Sequence, residues 1–397
     1  MLRFMIRDPV DRKRPLHTST PFRQFVVKVH SRCNLSCRYC YLYTMADQRW
    51  RQRPPVMPPA VVAATADRIA AHVRAHALAE VSIVLHGGEP LLAGPQRLRD
   101  VVVAIRDAVG GTTRVRFAVQ TNGTLLNRRF LRLLDEFDVR VGVSLDGEGA
   151  THDRNRPGRR VSSYARVVEG LTELDRPEFR HLFSGLLCVI DLEADPLATY
   201  EALLAFEPPS VDFLLPHATW SAPPPVSATA YADWLIPIFD RWFHEPERRA
   251  GIRIFEEIMN TLLGGASAVE TIGTSPAGMI VVETDGHIEQ SDVLAATYEG
   301  AADLGLDVFH DDFDAALAHP KTRARQSGIS GIPTDCLPCT WASVCGGGLY
   351  AHRYTAGAGC DHRSVYCEGL ARLFSHIHAT LSAALAAEGT TDANLVS

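Results

Sequence analysis

Phe25-Val-Val-Lys-Val-His30-Ser-Arg-Cys33-Asn-Leu-Ser-Cys37-Arg-Tyr-Cys40-Tyr-Leu-Tyr43 is the stretch that decides how the chain is read. Its first part, Phe25 to Val29, is a short β-branched run of the kind that forms a buried strand. The loop after it spaces three cysteines as CxxxCxxC. Three thiolates that close can hold three irons of a cubane [4Fe–4S] cluster, and their number leaves the fourth iron without a protein ligand. An open iron is a place where a small molecule can bind and be reduced. Structural zinc is the bland alternative, but its ligands usually come as CxxC pairs completed by a fourth Cys or His. His30 ends a strand whose alternation points it away from a metal held by the loop.

Outward from this stretch, short β-branched runs alternate with amphipathic ones. Candidate strands are Phe25 to His30, Val81 to His86, Arg114 to Gln120, Arg140 to Leu145, Ser184 to Ile190 and Val211 to Leu215. Helical patterns lie between them at Ala60 to Ala77, Arg97 to Val109, Arg128 to Phe137, Tyr164 to Leu174 and Pro196 to Phe206. Six βα units predict an α/β fold, a partial (β/α)6 TIM-like barrel. In such folds ligands gather at the carboxyl ends of the strands. Cys33 to Cys40, His86-Gly-Gly-Glu-Pro90, Gln120-Thr-Asn-Gly123 and Ser144-Leu-Asp-Gly147 should therefore face one another.

Beyond the proline run 223–225, helical patterns at Ala228 to Phe243 and Ile252 to Leu263 precede a hairpin pattern. Its strands are Met279 to Glu283 and His287 to Gln290, with the Asp285-Gly286 turn between them. A second group of cysteines follows. The division expected is an N-terminal extension (1–24), the barrel (25–222), bridging helices and hairpin (223–325), a cysteine-rich auxiliary domain (326–380) and a frayed tail (381–397). The 397 residues, 46% of them hydrophobic and 22% charged, suit a packed globular protein. A net charge of −6 gives no footprint for nucleic acid or an anionic membrane. Only Lys13, Lys28 and Lys321 among 40 basic residues are lysine, which reflects codon composition more simply than function. There is no apolar run of the roughly 20 residues that span a bilayer and no signal-peptide core in residues 1–20, so a cytoplasmic protein is expected. In a reducing compartment nine cysteines read better as metal ligands than as disulfides.

The motifs resemble the radical S-adenosylmethionine (SAM) superfamily, whose CxxxCΦC signature (Φ aromatic) is matched by Cys33, Cys37, Tyr39 and Cys40. The resemblance implies that SAM chelates the open iron and that one electron cleaves it to a 5′-deoxyadenosyl radical. It further implies that His86, Gly87, Gly88 and Glu89 form the GGEP-type motif, with Glu89 holding the SAM amine. Ser144 and Asp146 match an Ser-x-Asp-Gly motif near the SAM ribose, with Asn122 placed similarly after the third strand. Arg156 of His152-Asp-Arg-Asn-Arg156 is a candidate for the SAM carboxylate. Taken singly, Asn-Gly and Asp-Gly are everyday turns; together, at successive strand ends, they favour a cofactor site.

Cys336-x-x-Cys339-x5-Cys345-Gly-Gly, with Tyr366-Cys367 beyond, resembles the SPASM auxiliary-cluster domains of radical SAM enzymes that modify peptides. A full SPASM domain carries two auxiliary clusters, but Ser291 and Leu349 stand where the second needs cysteines. One auxiliary [4Fe–4S] cluster, held by Cys336, Cys339, Cys345 and Cys367, is expected. Cys360 is a less certain ligand or a free thiol, and Cys188, inside an apolar strand, reads as a buried small hydrophobe. Asp292, directly after the missing hairpin cysteine, is the candidate general base.

The longer wording, with Met45-Ala-Asp-Gln-x-Trp50 and Glu283-Thr-Asp-Gly-x-Ile-Glu-Gln290, looks like the cyclophane-forming radical SAM/SPASM peptide maturases of the FxsB type. That resemblance implies a C–C crosslink between an aromatic ring and the Cβ of a nearby residue in a ribosomally made precursor peptide. An external electron donor is implied, and the auxiliary cluster is the implied acceptor of the electron that leaves. Sulfatase-maturase-type oxidation or thioether formation would use the same cluster plan; a zinc-bound interaction protein is the non-enzymatic rival. With so few residues before Phe25, an added winged-helix peptide-recognition domain is not expected there, and the barrel, the bridging segment or the auxiliary domain is expected to recognise the precursor. An extended peptide adding to a strand edge near Met279 to Gln290 is one way the precursor could dock.

Overall fold

Buried apolar residues at alternate positions build the sheet. Val81, Ile83 and Leu85 face the core from one strand while Ser82, Val84 and His86 are only part-buried on its other face. The computed structural model describes residues 19–158 and 161–393, the side chains of 388–393 excepted. Residues 1–18, most of the expected N-terminal extension, fall outside the described residues, as do 394–397.

Among the described residues ten strands form one sheet: β1 (Gln24–His30), β2 (Glu80–Gly87), β3 (Arg114–Thr121), β4 (Val139–Ser144), β5 (Phe183–Val189), β6 (Ser210–Leu214), β7 (Gly251–Ile252), β8 (Met279–Val282), β9 (His287–Glu289) and β10 (Asp303–Asp307). Their order is β10-β9-β8-β1-β2-β3-β4-β5-β6-β7, with β1 to β7 parallel to one another and β8 parallel to β1. The six central strands are those read from the sequence, within a residue or two at each end. The expected α/β fold, a partial TIM-like barrel, is thereby present.

The helices are α1 (Pro59–Ala75), α2 (Gly94–Val109), α3 (Arg128–Glu136), α4 (Gly149–Asn155), α5 (Ser163–Leu174), α6 (Pro196–Leu204), α7 (Ala228–His244), α8 (Arg253–Leu262), α9 (Phe313–Ala318), α10 (Pro320–Arg325), α11 (Ala342–Cys345) and α12 (Cys367–Ala393). Proline at the start of α1 and α6, and Asn127, Ser162 and Asp195 capping α3, α5 and α6, set where the barrel helices begin.

Two expectations are corrected. The hairpin β8–β9 is not free to take an added strand, because β8 lies between β1 and β9 while β9 lies between β8 and β10. The tail expected to fray from residue 381 is helical to Ala393, since Leu370, Leu373, Phe374, Ile377 and Leu381 repeat at helical spacing and are buried. That stripe lies against α7, where Arg372 meets Asp233 at 2.6 Å and His376 meets Asp240 at 2.6 Å.

The resemblance segments 45–50 and 283–290 meet in space. Arg49 reaches Glu289 (2.8 Å) and Asp303 (2.6 Å), Arg53 reaches Glu283 (2.8 Å), and Asp47 Oδ2 accepts from the Gly300 amide (3.0 Å). These pairs fasten the chain leaving the cysteine loop to the β8–β9–β10 ribbon.

Candidate active site

The cysteine loop rests on the carboxyl end of β2, and glycine is what lets it lie there. A Cβ at Gly87 would stand 2.1 Å from the His30 carbonyl oxygen, and one at Gly88 would stand 1.9 Å from the Tyr43 hydroxyl. Gly88 N–H donates to the His30 carbonyl (2.8 Å) and Glu89 N–H to the Arg32 carbonyl (3.0 Å). The far side of the loop is tied to the end of α4, where Arg38 N–H donates to the Asn155 carbonyl (2.9 Å).

One cavity of about 720 Å³ gathers most of the residues singled out in the sequence. Cys33, Cys37, Cys40, Tyr39, His86, Gly87, Gly88, Asn122, Ser144 and Arg156 all line it. Asn122 Nδ2 lies 3.7 Å from Cys33 Sγ, and Ser144 Oγ accepts from Gln120 Nε2 (3.1 Å). Burial pushes the Cys33 thiol up to about 12 and Cys37 to about 11, with Arg156 pulling Cys37 the other way. Deprotonation therefore has to accompany metal binding at this loop.

Glu89 and Asp146 do not line the cavity, and the structure uses them to build it. Glu89 is wholly buried; its oxygens accept from Leu91 N–H (2.9 Å), Thr121 Oγ1 (2.7 Å) and Asn122 N–H (2.8 Å). Burial raises its carboxyl to about 7 against those three bonds. Asp146 binds the fork of Arg156 through both oxygens (2.9 and 3.1 Å), receives the Tyr39 hydroxyl and accepts from Val189 N–H (3.1 Å). Arg156 lies over the Tyr39 ring at 5.4 Å, so the carboxylate fixes both the aromatic of the CxxxCΦC loop and the cation beside it.

Asp292 sits behind the cavity wall. It is paired with Lys28, the one charged side chain of β1 and fully buried, and it accepts from the Tyr41 hydroxyl (2.8 Å). His86 Nδ1 is 3.2 Å from the Lys28 ammonium. Burial opposes ionisation of Asp292, but Lys28, His86 and the two hydrogen bonds outweigh it and hold the carboxyl well below its usual range. Burial, with Lys28 next, drives His86 down to about 4.

Sequence reasoning passed over Tyr41, His217 and His352, which also line the cavity. His217 packs edge-on to Tyr41 at 4.9 Å and lies 5.7 Å from His352, centroid to centroid. Lys28 was legible as an oddity, a lysine in an apolar strand.

The C-terminal cysteines form a separate group that does not line the cavity. Cys336 is within electrostatic reach of Cys367 and Cys339, and Cys345 of Cys367 and Cys336; Arg353 acts on Cys336, Cys345 and Cys360 alike, while Cys360 has Tyr350 and Arg325 as its further neighbours. Gly346, Gly347 and Gly348 all have positive φ (62°, 84° and 73°), and the Arg353 guanidinium caps their carbonyls. Ser291 and Leu349 are both buried, and between the chains that carry them Leu294, Ala301, Ala302 and Ala351 pack as an apolar cluster. Cys188 is buried in β5.

The donor set fits cubane clusters better than single ions. No three cysteine sulfurs among the described residues lie within 4.8 Å of one another, whereas four thiolates around one zinc stand about 3.8 Å apart, from Zn–S distances of about 2.3 Å. A cubane gives each thiolate its own iron. Fold and cavity thus define a barrel enzyme whose strand-end loop presents three thiolates beside a glycine-lined ligand space.

Residues 27–196 match the Radical SAM superfamily, and [4Fe–4S] clusters with SAM are the cofactors of that class. The chain is similar to the cysteine-type anaerobic sulfatase-maturating enzyme of Clostridium perfringens, at 22% identity over 90% of this chain and 96% of the relative. It is similar also to the serine-type enzyme of Klebsiella aerogenes, at 27% over 91% and 86%. Among solved structures, native anSMEcpe with bound AdoMet superposes with a TM-score of 0.79 at 22% identity, covering 91% of this chain and 98% of that one. Streptococcus suis SuiB superposes at 0.58 and 13% identity, covering 88% and 77%. Among the described residues no helix is long and apolar enough to cross a membrane.

Proposed function

We propose that this chain is a radical SAM enzyme that oxidises a ribosomally made peptide, joining an aromatic ring carbon to the Cβ of a nearby residue. The observation that carries the reading is that one cavity is lined both by the cysteine loop and by Val293, Leu349, His352 and Leu370, residues from the segments that carry Asp292 and the second cysteine group. When bound, the clusters and SAM supply a hydrogen-abstracting reagent and a sink for one electron. The chain's own residues do the rest. Gly87, Gly88, Asn122, Ser144 and Arg156 give the ligand space its backbone and polar wall, and Cys336, Cys339, Cys345 and Cys367 are the proposed ligands of one auxiliary cluster.

Asp292 is the proposed proton acceptor, reached through Tyr41 and His86. Held by Lys28, it is a weak base, and a weak base suffices for the proton that leaves a ring as aromaticity returns. The peptide-bound relatives support a peptide substrate: anSMEcpe has been seen with the Cp18Cys peptide and SuiB with the precursor peptide SuiA. Sulfatase-maturase-type oxidation is the second reading, favoured by the full-length likeness to the two sulfatase-maturating enzymes.

The test is anaerobic turnover of candidate precursor peptides, a small open reading frame beside this chain being the first place to look, with SAM and a strong reductant, followed by fragmentation of the product. A two-hydrogen loss with no backbone fragments between two residues of the core establishes the ring; a carbonyl on one side chain establishes the maturase reaction instead. Asp292→Asn should uncouple SAM cleavage from product, and full turnover by that variant removes Asp292 from the role.

A further inference from the structure

On the outer helical layer, outside the cavity lining, three ligating side chains converge on one point. His72 Nδ1 lies 2.9 Å from Asp314 Oδ1, and His76 Nε2 lies 2.7 Å from the same oxygen. The three donor atoms fall within 4.8 Å of one another, and no other group of three or more His, Cys, Asp or Glu does so among the described residues. We propose that His72, His76 and Asp314 bind one divalent transition-metal ion that clamps α1 to α9.

The helix sets the geometry. His72 and His76 are four residues apart at the end of α1, so their rings share a face, 4.4 Å between centroids. Asp314 enters from the first turn of α9. Donors around a tetrahedral zinc at about 2.05 Å stand roughly 3.3 Å apart, about half an ångström more than the two His–Asp distances here. Two imidazoles and one carboxylate form a donor set that suits zinc and its first-row neighbours. His76 and Asp314 are open enough to solvent for a water to complete the shell.

The alternative is a carboxylate that merely accepts two imidazole N–H groups. That reading puts the His72 proton on Nδ1 and leaves Nε2 as a buried acceptor, and Nε2 has no hydrogen-bond partner. Placing the proton on Nε2 instead sets the Nδ1 lone pair against a carboxylate oxygen 2.9 Å away, a repulsion that a cation between them removes. The surroundings favour a tight ion as well: Phe22, Phe25 and Phe313 pack around the His72 ring with centroids at 5.8, 5.9 and 6.1 Å.

The test uses the cluster-loaded protein prepared anaerobically, equilibrated with zinc chloride and desalted. Elemental analysis should find about one more zinc per chain in the wild type than in His76→Ala or in Asp314→Asn, which keeps an oxygen acceptor. Zinc X-ray absorption of the wild type should show a nitrogen and oxygen shell with imidazole scattering and no sulfur. Affinity should fall in each variant by more than the roughly 10–100-fold lost when only an outer partner of a metal ligand is removed. Added zinc should raise the melting temperature of the wild type alone, with melts in EDTA confirming that both variants fold. Equal zinc in wild type and variants, or a sulfur shell in the wild type, overturns the proposal.

Discussion

Asn at position 292 isolates what the Lys28–Asp292 pair does for the fold. Lys28 is 1% exposed and Asp292 8% exposed, so neither charge is repaid by water. Asn keeps the size of the side chain and an oxygen for the Tyr41 hydroxyl, but it leaves the ammonium with His86 as its other partner. Removing one member of a buried pair costs about 3–5 kcal/mol, a large share of the roughly 5–15 kcal/mol that holds a domain together. Lys28→Met should cost a similar amount, because it strands the carboxylate. The double variant should recover most of the loss, a coupling of more than about 2 kcal/mol in a double-mutant cycle. Anaerobic urea unfolding followed by circular dichroism reads all four proteins. The pH dependence has a fixed sign: the folded-state pKa of Asp292 is depressed, so the pair's contribution is complete above the unfolded value of about 3.9 and is lost as pH falls below it. The gap between wild type and Asp292→Asn should narrow only in that acid range. Single variants within about 1 kcal/mol of wild type, with no coupling, would refute the account of a dry, mutually dependent pair.

Glu89→Ala should destabilise by at least about 3 kcal/mol, since it strands the buried donors of Leu91, Thr121 and Asn122 at about 1–3 kcal/mol each, and urea unfolding measures it. Gly346→Ala should lower iron content without unfolding the barrel: its Cβ would stand 1.7 Å from the Gly273 carbonyl oxygen, at a φ of 62°. Cys339→Ala should reduce iron from about eight to about four per chain, whereas Cys360→Ser should keep about eight, counted after anaerobic reconstitution. A full complement in Cys339→Ala would remove that residue from the ligand set.

The central strands and their helices were legible because burial writes itself as period: Val81, Ile83 and Leu85 alternate, and Leu98, Val101, Val102 and Ile105 recur at helical spacing. The cysteine loop and the strand-end motifs were legible because loop chemistry needs particular residues at particular offsets. Glu89 and Asp146 show the limit of that reading. A motif states that a carboxylate is required, and only the fold shows that its partners are Thr121 and Asn122, or Arg156 and Tyr39. The place of the hairpin was hidden for another reason: β8 joins β1 across some 250 residues of chain, a pairing no local pattern encodes. The stripe from Leu370 to Leu381 was present in the sequence and reads as helix once its spacing is counted.

Cys367 is the first residue of α12, and the same helix runs on to lie along α7 beside the barrel. With Cys367 as a proposed cluster ligand, iron captured at one end of that rod would be mechanically continuous with the wall at the other. Cluster assembly and barrel consolidation would then be coupled, so a chain starved of iron should show weakened protection of its α7 amides from solvent exchange, far from any sulfur.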